Sequence, residues 1–147
     1  MVGYKKIGAG WLARVTVAAL SVVLLWSVQS AEAASCWYHN NSLMRLEDSG
    51  QQRWMYYANP KPSLRRSGVR QGTLLFNGTN HGDYYSGTAR RFSRFCIGTP
   101  LEYYVEGPVL RNPLRIVLRG TRNVYRQCRD TGRVAEDTLV FTYSHRC

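Results

Sequence analysis

Lysine is almost missing from the later part of this 147-residue chain: past residue 33 only Lys61 remains. Histidine is as scarce. His39, His81 and His145 never stand at the i, i+2 or i, i+4 spacing that puts two ligands on one face of a strand or helix, which argues against a local metal site. The four cysteines contain no C-x-x-C pair, so zinc ribbons and fingers are excluded. No G-x-S-x-G elbow surrounds Ser42, Ser67, Ser86 or Ser93. Glu102 and Glu106 share one face of a predicted strand, but four strand residues span about 13 Å, beyond the roughly 5 to 9.5 Å that glycoside hydrolysis needs. With no catalytic constellation and no local metal motif, no catalytic residue and no cofactor is expected. The longest apolar run, Val15 to Val28, holds 14 residues. A membrane-spanning helix needs about 20.

That run has another reading. Lys5, Lys6 and Arg14 precede it and Ala31-Glu32-Ala33 follows it, the order of a basic region, an apolar region and a small-residue cleavage site. A signal peptide over residues 1–33 is therefore expected, cut before Ala34 and followed by a single domain over 34–147. Export to the periplasm or the exterior follows. Ala33-Ala34-Ser35-Cys36 also loosely resembles a lipidation box. Lipidating Cys36, however, would leave an odd number of cysteines.

Cys36, Cys96, Cys128 and Cys147 all lie beyond the expected cut, as suits a chain that folds where disulfides persist. Three pairings are open to four cysteines. The reading favours Cys36 with Cys147, closing the two ends, and Cys96 with Cys128.

Removing Lys5, Lys6, Arg14 and Glu32 leaves 17 basic and 8 acidic residues, a net charge of about +9 carried almost wholly by arginine. The planar guanidinium fork matches carboxylates and phosphates and stacks on aromatic rings. An anionic polymer, a glycan of the cell envelope or an exported protein is the expected class of partner.

Short apolar or alternating runs separated by turn signals fill the rest. Leu43–Glu47 and Gln52–Tyr57 flank Asp48-Ser49-Gly50 as a hairpin. Gly72–Phe76 is expected to end at a turn on Asn77-Gly78. Tyr84–Phe92 carries Gly87 as a bend or bulge, Leu101–Glu106 alternates cleanly, and Thr138–Tyr143 is β-branched and aromatic. Residues 113–129 admit a cationic amphipathic helix starting at Asn112-Pro113, in a stretch where Arg115, Arg119, Arg122, Arg126, Arg129 and Arg133 recur every three or four residues. The favoured reading is two strands turning at Gly120-Thr121, because the neighbouring segments are β-like. The expected fold is all-β: a small antiparallel barrel or sandwich of seven or eight short strands.

Gly68–Gly78, Tyr85-Ser86-Gly87-Thr88-Ala89 and Cys96 together resemble the central pattern of small exported bacterial proteins with no assigned activity. The resemblance covers about a third of the chain after residue 33, implies the same fold class, and brings no site with it.

Tyrosine doublets at 56-57, 84-85 and 103-104 fall inside predicted strands, where one member of each must face outward. Tyr57, Tyr84 and Tyr104 are the expected outward set, able to stack on sugar rings or bases beside Arg115, Arg119, Arg122 and Arg126. The function expected from these features is a noncatalytic exported domain that binds an anionic or carbohydrate envelope component. One alternative is a protein-binding module or inhibitor of an exported enzyme. Another is a small basic ribonuclease using His145 or His81 with Glu102 and Arg115.

Overall fold

The computed structural model describes residues 34–147, together with Gly3. The expected signal segment lies outside the described residues. Eight strands run in chain order: β1 Ser35–His39, β2 Ser42–Ser49, β3 Gln52–Asn59, β4 Leu74–Asn80, β5 Tyr84–Arg91, β6 Leu101–Arg111, β7 Leu114–Arg126 and β8 Arg129–Arg146. Each pairs antiparallel with the next, and β1 pairs with β8, so the sheet closes as an up-and-down barrel. Both disulfides, Cys36–Cys147 and Cys96–Cys128, have the favoured pairing.

Period-two alternation decides the inside. Met44 and Leu46 of β2, Tyr103 and Val105 of β6, Ile116 and Leu118 of β7, and Leu139 and Phe141 of β8 are all buried, each separated by an outward residue. With Met55, Phe76 and Tyr85 they form one hydrophobic cluster. An eight-stranded barrel is just wide enough for side chains to fill it, and here they do. Trp54 is half-buried and sits on the strand face opposite buried Met55, so it does not line the interior.

Three sequence expectations need correction. Asn77-Gly78 is not a turn; β4 continues through it to Asn80, with Asn77 opposite Thr88 and Gly78 opposite Gly87. A Cβ on Gly78 would lie 2.1 Å from the Ser86 carbonyl oxygen, so this glycine permits two bent strands to approach. Residues 113–129 are neither a helix nor two strands meeting at Gly120. They form one strand, β7, whose hairpin with β8 turns at Gln127-Cys128, both with positive φ. Asn112-Pro113, which reads as a helix start, is the two-residue link between β6 and β7.

Strand direction sorts the connections. The links at 40–41, 60–73, 92–100 and 127–128 share one end, here called the mouth; those at 50–51, 81–83 and 112–113 share the other, with Ala34 and Cys147. β7 and β8 outrun the barrel at the mouth: β6 pairs with β7 only as far as Glu106↔Arg119, whereas β7 and β8 stay paired to Arg126↔Arg129. Residues 120–137 are therefore a projecting two-stranded ribbon.

Candidate functional site

Charge is unevenly spread between the two ends. The mouth loops, the ribbon and the adjoining strand ends hold Lys61, Arg65, Arg66, Arg70, Arg90, Arg91, Arg94, Arg122, Arg126, Arg129 and Arg133, against only Glu102, Asp130, Glu136 and Asp137. Most of the net positive charge of residues 34–147 thus sits at one end, where its field would concentrate an anionic partner.

The acidic residues are partly committed. Asp137 Oδ2 accepts hydrogen bonds from the Tyr103 hydroxyl at 2.9 Å and from Arg122 Nε at 3.1 Å, and Arg91 lies 3.5 Å away. Arg90 pairs with Glu102 at 2.8 Å and donates to Asn77 Oδ1 at 2.7 Å. Among the described residues, Arg94, Arg126, Arg129 and Arg133 lie within ion-pairing distance of no carboxylate. A free guanidinium next to a paired one is what an incoming anion can use.

Burial alone would raise the Asp137 carboxyl, but the hydrogen bonds from Tyr103 and Arg122 and the charges of Arg122 and Arg91 outweigh it and hold the group below its ordinary 3.8. A carboxyl depressed in the folded state stabilises the fold above its unfolded value and loses that contribution as pH falls through the lower, folded value. Asp137→Asn should therefore destabilise the protein at pH 7, and its urea midpoint should lie closer to that of the parent at about pH 2. An equal gap at both pH values would rule out an ionised Asp137 as the anchor. Burial pushes the Tyr103 phenol up, as does its bond to Asp137, so it stays a donor throughout this range.

Two hollows open at this end. One, of about 480 Å³, lies over the barrel interior, where His39, Tyr57, Leu75, Phe92 and Leu139 meet Arg90, Arg91 and Asp137. His39 Nδ1 lies 2.9 Å from the Val140 carbonyl and the ring packs 4.7 Å from that of Phe141; burial lowers its pKa. Burial pushes Tyr57 up to about 12. The other hollow, of about 1450 Å³, is a slot between the 92–100 loop with the start of β6 and the ribbon; Cys96–Cys128 bridges the two walls. Phe95 and Ile97 on the loop are 57% and 64% exposed, and Val134 on the ribbon 67%, unusual values for large apolar side chains beside so many arginines.

The residues expected from the sequence are not gathered in one place. Tyr84 and Tyr104 do face outward, on neighbouring strands, and Tyr104 donates to Glu106 Oε2 at 2.9 Å, which raises its pKa. Tyr57 is a correction: it is 4% exposed and in the core, and half-buried Tyr56 takes the outer side of β3. The expected outward trio is therefore a pair. The arginine row of β7 is also split by strand alternation. Exposed Arg119 and half-buried Arg115 are on the outer face of the barrel wall, while Arg122 continues the face of Ile116 and Leu118 and lines the slot with Arg126.

Glu102 is at the mouth end of β6, whereas His81 precedes β5 at the far end and His145 is late in β8. With Tyr84 opposite Pro108, Glu102 and His81 are separated by about six strand residues, roughly 20 Å. The ribonuclease constellation is not assembled. Among the described residues, no three metal-binding side chains cluster, and no helix is long and apolar enough to cross a membrane.

Sequence reasoning missed the loop arginine Arg94 with Phe95 and Ile97, and Val134 of the ribbon; it saw Arg129 and Arg133 in the basic row but did not count them among the binding residues. Their visible signal was the Cys96 and Cys128 pair, which brings the two segments together. No protein-family model, curated protein or solved structure matches this chain.

Proposed function

We propose that residues 34–147 form an exported, noncatalytic binding domain whose mouth end takes an anionic partner in the periplasm or outside the cell. The observation that carries this reading is the concentration of arginines without carboxylate partners around an open, partly apolar slot. Two disulfides in so short a chain fit an oxidising compartment. The anionic half of the sequence expectation gains support over the carbohydrate half, because burial of Tyr57 reduces the aromatic platform to Tyr84 and Tyr104.

The test is binding to poly-L-glutamate, a sulfated polysaccharide and vesicles of anionic lipid at rising salt. At least one should bind, with affinity falling steeply with ionic strength as counterions are released. Arg94→Glu, Arg126→Glu and Arg133→Glu combined should weaken that binding more than tenfold, while the same three-charge reversal toward the far end, Arg45→Glu with Arg111→Glu and Arg146→Glu, changes it less than twofold. Equal losses from both ends would mean diffuse charge without a site.

A further inference from the structure

The slot has a backbone wall as well as a charged one. β7 keeps β8 on one side along its length, but its pairing with β6 stops at Arg119. From Thr121 onward, the other edge of β7 therefore faces the slot, and no loop backbone bonds to it among the described residues. Such an edge offers alternating donors and acceptors to any chain that can match them, and proteins commonly cover or blunt it. Here it is framed. Gly120 lies against the Tyr104 carbonyl at the root of the slot, and Cys96–Cys128 ties the ribbon tip to the 92–100 loop at the outer end. The regular stretch, Thr121–Val124, precedes a register shift at Val124/Tyr125 and is about 13 Å long, enough for a short added strand.

We infer that the slot accepts an extended acidic segment of another polypeptide as an added strand on the free edge of β7, its carboxylates paired with Arg126 and Arg133. This rests on the anionic-partner reading and names the partner class. Charge alone would suit a sulfated glycan or an anionic lipid equally well. Neither carries the amide sequence that satisfies a strand edge, whereas a peptide does so at every second residue. The apolar residues alternating with the acids would point to the other face of the added strand, away from Arg133 and its cross-strand partner Val124.

The probes are acetylated, amidated octapeptides of alternating Glu and Val, the same sequence with Lys for Glu, and two versions N-methylated at every Glu or at every Val. Binding to the disulfide-bonded protein is read by fluorescence anisotropy, and amide exchange is followed at Thr121–Val124. The Glu-Val peptide should bind and slow exchange at every second amide of that stretch, those not already bonded to β8, and the Lys-Val peptide should not compete. One N-methylated version, whose blocked edge meets β7, should bind at least tenfold more weakly, and Arg126→Glu with Arg133→Glu should do the same to the parent peptide. If both N-methylated peptides bind within twofold of the parent, strand addition is wrong and the anionic reading stands. Binding of polysaccharide or vesicles without the Glu-Val peptide overturns the polypeptide assignment. Failure of every anionic probe removes both.

Discussion

Replacing Cys36 and Cys147 together with serine should cost about 5 kcal/mol of stability, the largest effect expected of any change here. Cross-linking removes closure entropy from the unfolded chain, and this bridge spans 111 residues, against 32 for Cys96–Cys128, for which the same relation gives about 4 kcal/mol. Position widens the difference. Cys36 is in β1, the shortest strand, and β1 with β8 is the seam that closes the barrel: Ser35 faces Arg146, Cys36 faces His145, and the Cys147 amide donates to the Ala34 carbonyl at 3.0 Å. Without the bridge, the seam is held by the β1–β8 pairing alone. Cys96–Cys128 instead holds the ribbon tip, which can fray without opening the core. Since a domain of this size is stable by roughly 5 to 15 kcal/mol, loss of the first bridge removes a large share. A fall in melting temperature on the order of 20 °C is expected for Cys36→Ser with Cys147→Ser. The Cys96→Ser and Cys128→Ser protein should fall by less and keep the near-ultraviolet spectrum of a packed core. An equal or smaller fall for the first pair would mean that the seam holds without its disulfide.

The strands were legible wherever one face is buried and the other wet. Leu101, Tyr103 and Val105 against Glu102, Tyr104 and Glu106 state the orientation of β6 outright, and the buried and exposed residues follow that order. Alternation fails as a guide where a strand must bend, because glycine then stands in for a side chain and looks like a turn. Asn77-Gly78 and Gly120-Thr121 misled for that reason; both glycines sit against a neighbouring strand's backbone. The tyrosine doublets told that one member is outside but not which. Position 57 shares the inner face with Met55, a parity readable only once the hydrophobic member of β3 is known to point inward. The binding end was the least legible part. Arg94 is remote in sequence from Arg126, Arg129 and Arg133, and only the Cys96–Cys128 bridge and the return of β8 beside β7 bring their segments together.

Gly120→Val separates a bend from both a turn and an ordinary strand position. Valine is among the best strand formers, so on a flat, regular strand it should raise stability by a few tenths of a kcal/mol to about 1 kcal/mol. Gly120 instead pairs with Asp137 at the root of the β7–β8 ribbon, and a Cβ there would lie 2.0 Å from the Tyr104 carbonyl oxygen and 2.9 Å from Val105 Cγ1. One contact is backbone and the other belongs to a fully buried side chain, so neither yields cheaply. Relief requires β7 to move away from β6, which draws Asp137 from the Tyr103 hydroxyl and widens the root of the slot. The expected loss is about 3 kcal/mol, the upper range for overpacking a closed site. Thr121→Val, one residue along on an exposed position, should leave stability within about 0.5 kcal/mol of the parent. Urea unfolding of the three proteins decides the matter. If Gly120→Val is as stable as Thr121→Val, the ribbon does not lean on β6 at this glycine, and the slot lacks the fixed root that strand addition to β7 requires.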